Sequence, residues 1–184
     1  MRYITLILDD AETLVQRKGF VARCIAAAIL LSHDIRKDVV FRIYIRKGSF
    51  LVSFKTARLR NIRSDEQSVG GILEKVYKKL SWGKSLKRVH SGVVLSKKTL
   101  SEVFKRMPGT LALYESIGGK DLRRMDFLKV QHVMYVISEK IVYTENEIEY
   151  FKSHDFIPIT VSRSQICVDA RIVLFNNEMD RRGL

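Results

Sequence analysis

Three nearly continuous apolar segments in the last third of the chain limit the fold more than any other feature. "TLALYES", "HVMYVIS" and "FIPITVS" contain few polar side chains, which is typical of parallel strands buried on both faces of a sheet. Segments with helical character separate them, over residues 145–152 and, at the end of the chain, 165–179. Strands that alternate with helices predict an α/β fold with a mostly parallel sheet flanked by helices.

The first two thirds also alternate between strand and helix patterns. "RYITLIL" predicts an interior strand over residues 2–8, and an alanine-rich helix follows over 17–31. "DVVFRIYI" and "SFLVSFK" flank Gly48, which can take a positive φ, and together they predict a β-hairpin. We further expect a helix over 65–80, a loop "SWGKSLKRVHSG", a short strand "VVL" and a helix over 98–107.

The domain organisation follows from length and from the scarcity of linker residues. The chain has 184 residues and two prolines, and it has no internal repeat or low-complexity segment. We predict a single domain over residues 1–184, with a basic N-terminal part over 1–109 and a second part over 110–184.

The net charge of +13 is concentrated in one region. Residues 42–88 carry 13 basic and 3 acidic side chains, whereas residues 130–184 carry 6 basic and 8 acidic ones. A merely solubilising surface usually mixes both signs. The concentration therefore favours a nucleic-acid partner, because Lys and Arg gain affinity by displacing counterions from phosphates.

Several other classes of protein and site fit the sequence poorly. Cys24 and Cys167 lie in apolar segments without a recognisable signal peptide, which favours a cytoplasmic protein without structural disulfides. The longest apolar run, over 20–31, is too short for a membrane span. The histidines are too far apart for local metal spacing, so no metal site is predicted.

Known nucleotide-binding motifs are also missing. "SIGGKD" lacks the first glycine and the final Ser or Thr of a P-loop, so Gly118 and Gly119 are interpreted as a turn. Loops that follow parallel strands can still enclose a cofactor. Among the aromatic residues of the basic region, Phe50 and Phe54 are expected in the core, whereas Trp82 in a Gly- and Lys-rich loop is a candidate for base stacking.

The segment "LLSHDIRKDVVF" is the most specific in the chain. It resembles the Leu-Ser-His-Asp-Ile-Arg-x-Asp-Val-x-Phe signature of the archaeal tRNA pseudouridine N1-methyltransferase family, which belongs to the SPOUT superfamily of α/β-knot methyltransferases. Shorter matches follow in the family's order: "SDEQSVGGILEKVYKK", "GGKDLRRMD" and "NNEMDRR". Together they extend the resemblance over most of the chain.

The resemblance implies a C-terminal deep trefoil knot that binds S-adenosyl-L-methionine and a homodimer that forms through the knot region. It also implies methyl transfer to N1 of pseudouridine 54 in the tRNA T-loop. Three loops would line the cofactor, with these candidate residues: Tyr114, Glu115, Gly118, Gly119, Ile137, Ser138, Ile141, Thr160, Ser162 and Ile166. The candidates for RNA contact are Arg36, Lys37, Arg58, Arg60, Arg63 and Trp82.

The chain departs from the family pattern at its expected active site. The second cofactor loop, 138–142, reads Ser-Glu-Lys-Ile-Val where relatives tend to have Gly-Asp-His-x-Gly. A family aspartate near the first helix is absent, and Asp9 or Asp10 could replace it. Arg171 stands where relatives carry a cysteine; it could stabilise an anionic base or be an ordinary helix-surface arginine.

These departures leave three readings open. The chain is a tRNA pseudouridine methyltransferase, a degenerate knot protein that binds structured RNA without methylating it, or a related methyltransferase with another RNA target. Titration with the methyl donor separates the first two readings, because a site that has been lost gives no thermal stabilisation.

Overall fold

The computed structural model describes residues 1–32, 34–60, 66–81 and 86–184. Within these ranges the strands are β1 (Arg2–Leu8), β2 (Val39–Ile45), β3 (Phe50–Lys55), β4 (Leu86–His90), β5 (Val93–Lys97), β6 (Thr110–Asp121), β7 (His132–Ser138) and β8 (Ile157–Thr160). The α-helices are α1 (Thr13–Gln16), α2 (Lys18–Ile29), α3 (Glu66–Ser81), α4 (Leu100–Val103), α5 (Glu145–Ser153) and α6 (Val168–Arg181). Short 3₁₀ turns cover Thr56–Arg58 and Leu122–Arg124.

The described strands form a single sheet in the order β4-β5-β3-β2-β1-β7-β6-β8. Neighbouring strands in the series β2-β1-β7-β6-β8 are parallel. Neighbouring strands in the series β2-β3-β5-β4 are antiparallel. The apolar segments of the last third are the parallel strands β6, β7 and β8, as their composition predicts. The α/β architecture with a mostly parallel sheet and flanking helices is confirmed.

Two hydrophobic cores cover the two faces of the sheet. The larger lies beneath α1, α2, α3 and α6, and the smaller, which is rich in aromatic side chains, lies beneath α4 and α5. Phe54 is fully buried in the larger core, as expected, and Ile72, Val76 and Leu80 form the buried face of α3. None of the helices in the part of the chain that the structure describes is long and apolar enough to cross a membrane.

Two predictions of local structure are wrong. Residues 86–90, predicted as loop, form the edge strand β4, and a charged sequence such as "LKRVH" is common at a sheet edge that must not pair with another chain. Gly118 and Gly119 do not end β6 in a simple turn. Residues 116–119 loop out of β6, and the strand resumes at Lys120 on the same partner residue, Ile159.

The trefoil knot and the division of the chain at residue 109 stay predictions. The predicted helix over 98–107 is shorter, because α4 ends at Val103. Its start is fixed by a capping box in which the Thr99 side chain accepts the Glu102 N–H and the Glu102 side chain accepts the Thr99 N–H.

Candidate active site

A cleft of about 910 Å³ opens at the carboxyl ends of β6, β7 and β8. The loop that interrupts β6 at residues 116–119 and the loops that follow β7 and β8 line it, together with one side of α2 and the start of α6. Ligands of open α/β sheets bind at this edge, where the loops diverge. Of the residues predicted from the sequence, the cleft brings together Gly118, Gly119, Ile141, Thr160, Ser162, Ile166 and Arg171.

The loop of β6 at the cleft depends on a close approach between two backbones. A Cβ atom on Gly119 would lie 2.6 Å from the backbone carbon of Ile159, so no side chain fits there while β6 and β8 stay paired. Gly118 has a φ of +81° and open space around it, and Ile117 beside it is 85% exposed. The loop therefore presents backbone and one apolar side chain to the cleft.

Beneath the cleft lies a fully buried carboxylate, that of Glu115 on β6. It accepts hydrogen bonds from Tyr135 Oη at 2.7 Å, Thr160 Oγ1 at 3.1 Å and the Val161 N–H at 3.3 Å, and it pairs with Arg171 of α6. Burial raises the pKa of Glu115, and the hydrogen bond from Tyr135 and the charge of Arg171 oppose that rise. The cluster joins β6, β7, β8 and α6.

The guanidinium of Arg171 also holds the third loop, which covers residues 161–167 between β8 and α6. It donates from Nη1 to the Ser162 carbonyl at 3.3 Å and from Nη2 to the Ser164 carbonyl at 3.1 Å. Because a trans peptide directs its N–H opposite to its carbonyl, the N–H groups of residues 163 and 165 point away from the guanidinium. Neither has a hydrogen-bond partner among the described residues, so both can bind a ligand.

The second loop holds a backbone conformation that its side chain disfavours. Ile141 has a φ of +56°, in the left-handed region, where a β-branched residue costs about 1–2 kcal/mol. A backbone bond from the Ile141 N–H to the Ser138 carbonyl and a bond from Ser138 Oγ to the Val142 carbonyl maintain the turn. Strain of this kind is common at ligand sites.

The rim of the cleft is mostly cationic, and it includes residues that the sequence reasoning missed. Arg17, just before α2, and Arg23 of α2 lie there, with Lys140 and Arg163 from the loops. Glu139 is the acidic side chain among the described cleft-lining residues, and it pairs with Arg17. The spacing of Arg17 and Arg23 on "RKGFVAR" places both toward one end of α2, but a single helix gives no signal of which loops lie beside it.

Four predicted cofactor residues lie outside the cleft. Glu115 and Ile137 are fully buried beneath it, and Ser138 lines the adjacent, smaller cavity. Tyr114 points to the opposite face of the sheet, where its ring stacks on Phe151 at 4.9 Å. These residues are next to cleft residues in the sequence, but alternate side chains of a strand face opposite sides.

The two aspartates predicted as replacements for the lost carboxylate have other partners. Asp10 accepts hydrogen bonds from the N–H and Oγ1 of Thr13 and so begins α1. Asp9 pairs with Arg46, which also binds Glu147 of α5 at 2.8 Å. Neither aspartate lines the cleft, and the interpretation of Arg171 as a helix-surface arginine is wrong, because it is 6% exposed and paired with Glu115.

The residues predicted to contact RNA differ in their surroundings. Arg36 donates two hydrogen bonds to the Asp180 carboxylate, at 2.7 and 2.8 Å, and is a tether to α6 rather than a free phosphate contact. Lys37, Arg58 and Arg60 are exposed. Arg63 and Trp82 lie outside the described residues, as does His33 of the "LLSHDIRKDVVF" segment.

The model of a protein family described as "Putative SAM-dependent RNA methyltransferase" matches residues 5–184. The chain belongs to this family. S-adenosylmethionine-dependent methyl transfer to RNA is therefore its class of activity. The cleft between the three loops is suited to a cofactor.

Individual relatives and structures are consistent with the family. The chain is 26% identical over 179 residues to the tRNA (pseudouridine(54)-N(1))-methyltransferase of Methanococcoides burtonii, covering 95% of this chain and 88% of that protein. It is 25% identical to the enzyme of that name from Methanococcus vannielii, with 95% and 90% covered. The crystal structure of Archaeoglobus fulgidus Nep1 bound to S-adenosylhomocysteine matches with a TM-score of 0.65 and 12% identity, covering 97% of this chain and 82% of that one.

Proposed function

We propose that this protein transfers a methyl group from S-adenosyl-L-methionine to N1 of pseudouridine 54 in tRNA. The observation that carries the proposal is the cleft at the ends of β6, β7 and β8, formed by the loops that the family resemblance assigns to the cofactor. The relatives named for this reaction match 95% of the chain, and their names identify the substrate of the proposal.

The residues of the cleft fit the proposed cofactor. Ile117, Ile141 and Ile166 offer apolar contacts to an adenine ring, and the free N–H groups of residues 163 and 165 offer donors. Arginines at the rim can bind the carboxylate of the amino-acid moiety. When bound, S-adenosylmethionine supplies an electrophilic methyl group.

The substrate atom N1 carries a proton in neutral pseudouridine, so the protein must accept that proton or stabilise the anion of the base. Glu139 is the cleft-lining carboxylate best placed for the first task, since it occupies the position of the aspartate in the relatives' second loop. Lys140 and Arg163 at the rim can stabilise negative charge on the base. Arg171 is a positioning residue, because its ion pair with Glu115 holds the third loop in place.

The proposal includes tRNA as substrate and a homodimer formed through the C-terminal half of the chain. Ile172 and Phe175 of α6 are fully buried within the protomer, which leaves Val173 and Leu174 as the apolar, exposed side of that helix, at 51% and 39%. Apolar side chains on a helix surface support an interface between two copies. Replacing Leu174 with Glu should convert a dimer into a monomer in analytical ultracentrifugation.

Two measurements test the reaction. Calorimetric titration should show binding of S-adenosylmethionine, and methyl transfer should occur to tRNA with pseudouridine at position 54 but not to the same tRNA with uridine there. Glu139→Gln should lower the turnover rate by about 10²-fold or more and leave cofactor affinity nearly unchanged. Absence of cofactor binding at millimolar concentration would refute the proposal.

A further inference from the structure

A small cavity separate from the cleft lies on the other side of the sheet from α2 and α6. It has a volume of about 80 Å³ and is lined by Tyr3, Arg42, Lys105, Met107, Thr110 and Met134. Thr110 begins β6, and Tyr3 lies near the start of β1, so the cavity is near the amino ends of the parallel strands. The proposed cofactor cleft lies at their carboxyl ends.

Arg42 is a half-buried cation that no carboxylate neutralises within the part of the chain that the structure describes. Its Nη1 donates to the Val103 carbonyl at 3.0 Å, and its guanidinium lies 4.8 Å from the centre of the Tyr3 ring. Burial lowers the pKa of Arg42. Since an uncompensated charge is costly to bury, the site suits an external anion. Lys105, exposed beside it, also has no ion pair among the described residues.

Two further polar atoms at this place lack partners. Thr110 Oγ1 and His132 Nδ1 are buried without a hydrogen bond to any described residue, and the two residues are direct neighbours across β6 and β7. The ring of Tyr3 lies between the two groups, 6.3 Å from the ring of His132 and 4.8 Å from the Arg42 guanidinium. Buried polar atoms are nearly always hydrogen-bonded, so the orphaned hydroxyl in the cavity wall indicates a ligand.

The cavity adjoins a wider groove of about 630 Å³. The groove shares Lys105 and Thr110 with the cavity and adds Arg106, Tyr150 and His154. No carboxylate lines either one among the described residues. The small cavity, at about 80 Å³, has room for a small group such as one phosphate. The groove suits the rest of a longer polyanion.

We propose that Arg42, Lys105 and Thr110 form a binding site for a backbone phosphate of the RNA substrate; the identity of the polyanion rests on the proposed function. Arg42 and Lys105 supply the positive charge, and the Thr110 hydroxyl donates to a phosphate oxygen. The step from Thr110 to Glu115 along β6 spans roughly 16 Å. RNA that fills both sites must therefore extend from one end of the parallel strands to the other.

Salt-dependent binding of fluorescently labelled tRNA tests this site. Arg42→Gln and Lys105→Gln should each weaken binding and reduce the slope of log affinity against log salt by about 0.7 to 0.9. Thr110→Val keeps the shape of the side chain and should weaken binding about fivefold, the effect of one hydrogen bond. Arg181→Gln is the matched control for the loss of one charge, because Arg181 is exposed at the end of α6, across the sheet and outside the basic region 42–88.

Thr110→Val separates a binding role from a structural one. Removal of an orphaned buried hydroxyl should leave the melting temperature unchanged or raise it, so weaker tRNA binding in a stable variant supports the site. Unchanged tRNA affinity in all three variants would overturn the proposal. It would also be overturned if inorganic phosphate, compared with chloride at equal ionic strength, stabilises the protein through Arg42 while tRNA binding is unaffected.

Failure of the phosphate site can be distinguished from failure of the proposed methyl transfer. S-adenosylmethionine binding should be normal in all four variants, because none lies at the cleft. If tRNA binding falls as expected but no methyl group is transferred by the unmodified protein, the phosphate site stands and the proposed reaction fails. If the reaction occurs and the variants bind tRNA normally, the reaction stands and the phosphate site fails.

Discussion

Replacing Arg171 with Met tests how the chain positions its third loop. The substitution keeps an unbranched side chain of similar length but removes the cation that pairs with Glu115 and the donors that hold the carbonyls of Ser162 and Ser164. Glu115 is fully buried and Arg171 is 6% exposed. Solvent therefore screens this ion pair very little.

The expected loss is large for a single substitution. Breaking a buried ion pair from one side costs about 3–5 kcal/mol, mainly because the other charge is left unpaired. For a chain of this size, each kcal/mol shifts the melting temperature by about 2–4 °C, so the shift should be on the order of 10 °C. Affinity for S-adenosylmethionine should fall as well, since the third loop loses two of its attachments.

A double-mutant cycle identifies the cause. Thermal and denaturant unfolding would be measured for Arg171→Met, for Glu115→Gln and for the two together. The double variant should lose about 2 kcal/mol less than the sum of the single losses, because neither charge is then left alone. Arg163→Met is the control, since Arg163 is exposed on the same loop and should change stability by about 0.5 kcal/mol or less. Additive losses would refute this account of the pair.

Three further predictions concern two backbone conformations and the ion pairs of Asp180. Gly119→Ala should abolish cofactor binding and destabilise the protein in thermal unfolding, because its Cβ would meet the β8 backbone at 2.6 Å; Gly71→Ala, on an open part of α3, should instead stabilise it by about 0.5–1 kcal/mol. Ile141→Gly should not lower the unfolding free energy, since it relieves a positive φ; a loss above about 1 kcal/mol would contradict this. Asp180 is partly buried, yet the hydrogen bonds from two arginines lower its pKa. The carboxylate therefore stabilises the fold at neutral pH, and this stabilisation is lost as the pH falls below about 4. Asp180→Asn should make the free energy of unfolding less dependent on pH in this acidic range.

The parallel half of the fold could be predicted because its signal is local. β1 and β7 have the predicted bounds, β6 begins with its apolar segment and continues to Asp121, and β8 lies within the third apolar segment. The loops that line the cleft follow from these strands, since parallel strands end at one edge of a sheet. β4 has no comparable signal, because only two of the five residues of "LKRVH" are apolar.

The pairing of charges could not be predicted, because it depends on contacts between distant parts of the chain. Arg36 binds Asp180, and Glu115 binds Arg171, in both cases across the fold. One signal was available in retrospect. A lone acid in the buried strand "TLALYES" needs a buried cation, and "VDARIVLF", the first part of α6, carries Arg171 among mostly apolar residues.

Mass spectrometry of the modified nucleoside tests the central claim most directly. The unmodified protein would be incubated with isotopically labelled S-adenosylmethionine and a tRNA that carries pseudouridine at position 54, and the RNA would then be digested to nucleosides. The account predicts labelled N1-methylpseudouridine, and a strong reduction of it with Glu139→Gln. Cofactor binding and tRNA binding without any labelled methylpseudouridine would contradict it.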